Sequence, residues 1–166
     1  MAPRLPPLEL WIAAFIVLLD QAAKAVVRSA VDLHESVVVI PGLFNLTRVH
    51  NTGAAFGMMD AAEFPFKTVV LALVGAAALV GLAVYALRLP MDQQLARIGL
   101  ALILGGAAGN LIDRVSAGYV VDFVDVYWRG WHFWAFNVAD SAITCGVALM
   151  ILDLMGIGRH RVPRAV

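Results

Sequence analysis

The sequence predicts an all-α membrane protein: four transmembrane helices with a small β-rich element on the outer, periplasmic face. Three observations predict it. The chain of 166 residues is 61% hydrophobic and only 14% charged, where a soluble domain is about 45–50% apolar and about 25% charged. Its mean hydropathy is +0.84, more apolar surface than one small core can bury, so the surplus needs lipid. The apolar residues fall into long runs separated by two segments rich in strand formers.

The clearest run, 68–87, carries no charge and matches the roughly 30 Å of hydrocarbon that a helix rising about 1.5 Å per residue must cross; Lys67 and Arg88 bracket it. Further spans are expected at 8–27, interrupted by Asp20 and Lys24, at 98–113, and at 138–157, with Asp140 near its start and Asp153 near its end. The first run resembles a secretory signal peptide in its basic start at Arg4, but Asp20 follows its apolar core at once, and it reads as a retained helix. Arg4, Arg88, Arg97, Arg159, Arg161 and Arg164 fall in short segments on one side of a four-span arrangement. The denser basic side is cytoplasmic, so both termini are expected there, in a multi-pass membrane protein.

The two longer connections then face outward. Residues 36–57 and 119–128 read as β-like, the first broken by the turn dipeptide Pro41-Gly42. Trp128, Trp131, Phe133, Trp134 and Phe136 crowd together behind the second, as in the aromatic belts that sit at headgroup level. The whole chain, 1–166, reads as one membrane domain in contact with lipid. Net charge is zero and no basic stripe suggests a nucleic-acid partner. The single cysteine, Cys145, lies in an apolar run and reads as a small buried hydrophobe.

A charge deep in a bilayer costs at least about 2.5–3.5 kcal/mol, so such residues usually face the bundle interior. The acids near the membrane are Asp20, Asp113, Asp122, Asp125, Asp140 and Asp153. Asn110, Asp113 and Arg114 share one helix face at i, i+3 and i+4, behind small residues from Gly105 to Gly109 that permit close helix approach; a structural Asp113–Arg114 salt bridge is the plain alternative. Asn137 and Asp140 have the spacing of a capping box. Asp122 alternates with Val120 and Val124 on one strand face, Asp125 with Val121 and Phe123 on the other. A carboxylate among apolar residues should hold its proton more tightly. His34, His50, His132 and His160 are scattered, with no HExxH and no metal-ligand spacing, so no metal or cofactor is expected. Several acids at one end of a bundle remain. Two close carboxylates share a proton, and can then act as base toward water and acid toward a carbonyl. The residues alone do not rank Asp113 against Asp122 as the partner of Asp140. A small proton-conducting transporter or an assembly protein would also use buried acids or small-residue helix faces.

Five segments together resemble the lipoprotein signal peptidases, the type II signal peptidases of bacteria. They are Asp20-Gln21 with Lys24, NTGAAFG from Asn51, GGAAGNLIDR from Gly105, VVDF from Val120 and FNVADS from Phe136. The resemblance implies a four-helix aspartic endopeptidase, active near the outer face, that cleaves prolipoproteins just before a diacylglyceryl-modified cysteine. It implies Asp122 and Asp140 as the catalytic pair. Asp20, Lys24, Asn51, Gly53, Asn110, Asp113, Arg114, Asn137 and Ala139 would support the pair or the substrate, with Asp113 structural. No cofactor or metal follows from it, and a monomer is expected.

Overall fold

The computed structural model describes residues 7–53 and 66–157; the 54–57 part of the NTGAAFG segment and Arg4, Arg159, His160, Arg161 and Arg164 lie outside them. Among the described residues, four helices occur in the order α1 (Pro7–Ala30), α2 (Lys67–Ala86), α3 (Gln94–Ala117) and α4 (Val138–Leu154). Three of them, α1, α2 and α3, are long and apolar enough to cross a membrane. α1 and α3 exceed their expected bounds at both ends, whereas α4 stops short of residue 157.

Contacts fix the directions of the helices. Glu9 meets Arg97 near the starts of α1 and α3, and Lys24 meets Asn110 and Asp113 near their ends, so α1 and α3 run parallel. Thr68, at the start of α2, donates its hydroxyl to the carbonyl of Gly118 just beyond α3. Gly99 and Gly146, and Gly106 and Ala139, meet backbone to backbone, making α4 antiparallel to α3. α3 is therefore the central helix, packed on all three others and most extensively on α4. The glycines explain why: a Cβ at Gly106 would run into the Ala139 carbonyl and the Ile143 side chain, so only a residue without one lets the backbones meet. α2, by contrast, leaves Val69, Leu73, Val74 and Val80 exposed, an all-apolar surface that suits lipid.

The outer connections form a four-stranded antiparallel sheet in the order β1 (Ser36–Ile40), β2 (Phe44–Asn51), β3 (Val120–Trp128) and β4 (Trp131–His132). Gly42, at φ +80°, makes the β1–β2 turn, and its N–H donates to the Tyr127 hydroxyl. Val121 and Phe123 of β3 pack on Val27 of α1 and on Val31 just beyond its end, seating the sheet on the bundle. Trp128, Trp131 and Trp134 are exposed. Cys145 is also exposed, against the buried position expected of it: it lies on the outward side of α4, where a small apolar thiol meets lipid as readily as a core.

Two register details place the site. Val49 pairs with Asp122 and Asn51 with Val120, so Asn51 and Asp122 are diagonal neighbours on one face. Phe136 bridges Val124, its N–H donating to the Val124 carbonyl at 3.1 Å and its own carbonyl accepting from Phe123 and Val124. The start of α4 is thereby pinned against β3.

Gly106→Val should lower thermal stability in detergent by about 1–3 kcal/mol, the range for overpacking a filled contact. Gly81→Ala, where a Cβ meets nothing within 4 Å, should raise helix stability by about 0.8–1 kcal/mol. Parallel melting curves of the two variants check the pair.

Candidate active site

A buried frame comes first. Lys24 is fully buried, and its ammonium has three N–H groups to satisfy. All three find acceptors: Asp20 Oδ2 at 2.8 Å, Asp113 Oδ2 at 2.9 Å and Asn110 Oδ1 at 2.9 Å. Asp20 and Lys24 lie one turn apart on α1, and α3 supplies the other two. Asp20 Oδ1 accepts the backbone N–H of Ala139 at 3.0 Å, tying α1 to the first turn of α4. Asp113 also accepts from Arg28 at 3.0 Å and from the Val121 N–H at 3.3 Å, tying α3 to β3. A Cβ at Gly109 would lie 2.7 Å from Asp20 Oδ2, so the glycine makes room for the carboxylate.

Two carboxylates stand beside this frame. Asp122 is 3% exposed; its Oδ1 accepts from Asn137 Nδ2 at 2.8 Å and its Oδ2 from Asn51 Nδ2 at 2.9 Å. Asp140 Oδ1 accepts from Asn110 Nδ2 at 2.8 Å, and its Oδ2 accepts the Asn137 N–H at 3.2 Å. Asn137 is the hinge between them. Its Oδ1 accepts the Asp140 N–H at 2.9 Å, completing the capping box, while its Nδ2 also reaches Asn110 Oδ1 and the Val121 carbonyl. Asp20 and Asp113 engage the frame's cations, and amide or backbone donors hold Asp122 and Asp140. Burial pushes the Asp122 carboxyl up to about 7, and the nearby Asp140 charge adds to the rise against the two asparagine donors.

Arg114 does not pair with Asp113. It donates to the Gly53 carbonyl at 3.1 Å and to the Asn110 carbonyl at 3.4 Å, because Lys24 and Arg28 already cover Asp113. It thus closes the short turn in which the Gly53 N–H donates to Asn51 Oδ1 at 2.9 Å, and that turn aims Asn51 at Asp122. Every residue that the resemblance names as catalytic or supporting meets this network. Asp125 lies apart, bonded to Asn45 and His132. His50 stacks on Tyr119 with ring centroids 3.7 Å apart, and burial lowers its pKa. Among the described residues no three His, Cys, Asp or Glu side chains group as metal ligands would.

Gln21, named above only as part of the Asp20-Gln21 segment, and Arg28, given no site role, also join the network. Gln21 Nε2 lies 3.2 Å from the Gly109 carbonyl and 3.3 Å from Asp113 Oδ1. Arg28 follows Lys24 by four residues on the face that carries Asp20, a helical spacing that was the available signal.

The sequence profile described as Signal peptidase (SPase) II matches residues 12–156. The chain belongs to the signal peptidase II family. It is 48% identical to the lipoprotein signal peptidase of Geobacter sulfurreducens over 145 residues, covering 87% of this chain and 89% of that one. It is 42% identical to the lipoprotein signal peptidase of Pseudomonas aeruginosa over 146 residues, covering 87% and 86%. Among solved structures, a bacterial membrane enzyme determined by the in meso method at 2.3 Å superposes with a TM-score of 0.82 at 30% identity, covering 100% of this chain and 99% of that one. As a signal peptidase II family member with several apolar helices, this is a multi-pass membrane peptidase.

Lys24→Met should destabilise the fold by about 3–5 kcal/mol, since it strands buried Asp20 and Asp113 without their cation. Arg28→Ala, whose side chain is 30% exposed, should cost at most about 1 kcal/mol. Thermal unfolding of both variants in one detergent tests this order.

Proposed function

We propose that the protein is a membrane-embedded aspartic endopeptidase that removes signal peptides from prolipoproteins, cutting just before the diacylglyceryl-modified cysteine. The observation that carries the reading is Asn137, which bonds both Asp122 and Asp140. Two carboxylates held by one asparagine, Asp122 by its side-chain amide and Asp140 by its backbone N–H, with no cation paired to either among the described residues, favour a shared proton.

The two have different surroundings. Asp122 holds a proton up to about pH 7, so it is the acid that donates to the scissile carbonyl oxygen. Asp140 sits in the first turn of α4, where the helix N-terminus favours negative charge, and it accepts two hydrogen bonds. It is the base that takes a proton from water as the water oxygen attacks the carbonyl carbon. The tetrahedral intermediate collapses when Asp140 returns that proton to the leaving nitrogen and Asp122 recovers its own from a hydroxyl. Asn51, Asn110 and Asn137 orient the pair; Asp20, Lys24 and Asp113 hold the asparagines and the start of α4; Arg114, Gly53 and the Ala139 N–H position the surrounding backbone.

α4, antiparallel to α3 and uncharged between Asp140 and Asp153, completes four spans. Both termini then lie in the cytoplasm, with the sheet and the aspartates near the outer face of the inner membrane. The substrate's signal helix and acyl chains enter from lipid, and their burial supplies most of the binding while the site supplies orientation. One chain provides every residue of the site, so a monomer suffices.

With a lipidated prolipoprotein in detergent, Asp122→Asn and Asp140→Asn should each lower kcat by about 10²–10⁴-fold with little change in KM, and a chelator should leave cleavage intact. Cleavage should fall as pH rises through about 7, where Asp122 loses its proton. Full activity of Asp122→Asn would overturn the assignment.

A further inference from the structure

At the other end of α1 and α3 lies a second buried charged group with no part in this chemistry. Glu9 is 9% exposed and Arg97 7% exposed. Arg97 Nε donates to Glu9 Oε1 at 2.6 Å, and its Nη1 donates to the Leu89 carbonyl at 2.9 Å. The second carboxylate oxygen, Glu9 Oε2, is buried and finds no hydrogen-bond partner among the described residues. A buried charged acceptor without a donor is costly.

Glu9 and Arg97 form the polar part of a cleft of about 40 Å³ whose other lining includes Leu10, Ala13, Leu100 and Leu104. The cleft is small, apolar around a single charged acceptor, and placed in the first turns of two helices long enough to span a membrane. That depth is the headgroup level of the leaflet facing these helix starts. Leu8 and Leu10 beside it are exposed, as suits contact with acyl chains.

We infer that this cleft binds the primary ammonium of an aminophospholipid such as phosphatidylethanolamine, with an ammonium N–H donating to Glu9 Oε2. The Glu9–Arg97 pair is already neutral, so a zwitterionic lipid keeps the site neutral where a simple cation would not. Arg88 is exposed and next in sequence to Leu89 of the lining, and its positive charge suits a lipid phosphate. A choline headgroup has no N–H to give, and an anionic headgroup would face Glu9 unfavourably.

The test is native mass spectrometry of the full chain in detergent, supplied in turn with phosphatidylethanolamine, its N-methyl and N,N-dimethyl forms, phosphatidylcholine and phosphatidylglycerol of matched acyl chains. Wild type should retain phosphatidylethanolamine about tenfold more than phosphatidylcholine or phosphatidylglycerol, the discrimination of one charge-assisted hydrogen bond. Retention should be lost once the nitrogen carries no hydrogen, and Glu9→Gln should abolish the preference. Millimolar free ethanolamine should not displace the lipid; displacement would make the ligand a soluble amine and overturn the lipid assignment. Equal retention of phosphatidylethanolamine and phosphatidylcholine by wild type would overturn the site itself, and that result needs no variant to fold.

Discussion

The rest of the structure depends on one ammonium group removed from water. Lys24 is buried between α1 and α3 with three acceptors around its three hydrogens. Such a group is tolerable in a bundle core only when charge and hydrogen bonds are both balanced. Two acids and two bases, Asp20, Asp113, Lys24 and Arg28, provide the charge balance. The geometry of that balance then propagates. Asp20 holds the Ala139 N–H, Asp113 holds the Val121 N–H, and Lys24 holds Asn110. The first turn of α4, the start of β3 and the amide facing Asp140 are all set by one charged knot.

The pair Asp122 and Asp140 is the consequence. Neither carboxylate belongs to the charge balance, so each depends on amide and backbone donors. Asparagine suits this place because it donates to a carboxylate without neutralising it. A lysine or arginine there would hold both groups ionised and remove the proton that acid–base chemistry needs. The same frame that stabilises the bundle thus leaves two acids unneutralised, one of them kept protonated by burial.

The helices and the β-rich outer segment were legible because their signals are local: long, mostly apolar runs for the helices, the Pro41-Gly42 turn between β-branched runs for the sheet. The capping box at Asn137 and Asp140 was legible for the same reason. The ends of α3 were not, since Arg97 and Arg114 look like boundaries by composition yet lie inside the helix, each bonded to backbone carbonyls. The Asp113–Arg114 pairing suggested by adjacency fails because neighbours in sequence point to different sides of a helix, and Lys24 reaches Asp113 from another element. The choice between Asp113 and Asp122 was invisible to spacing for a related reason. It depends on which acid meets a cation, and that is decided by the α1–α3 contact. Cys145 misled because an apolar run does not say which of its faces meets lipid and which meets protein.

The proposed chemistry requires Asp122 and Asp140 to titrate as a coupled pair. It is tested most directly by following the Asp122 carboxyl across pH by ¹³C NMR of aspartate-labelled protein, in wild type and in Asp140→Asn. The wild-type midpoint should lie near 7, fall when the Asp140 charge is removed and stay above the ordinary 3.8, because burial remains. A midpoint near 3.8 that does not move in the variant would contradict it.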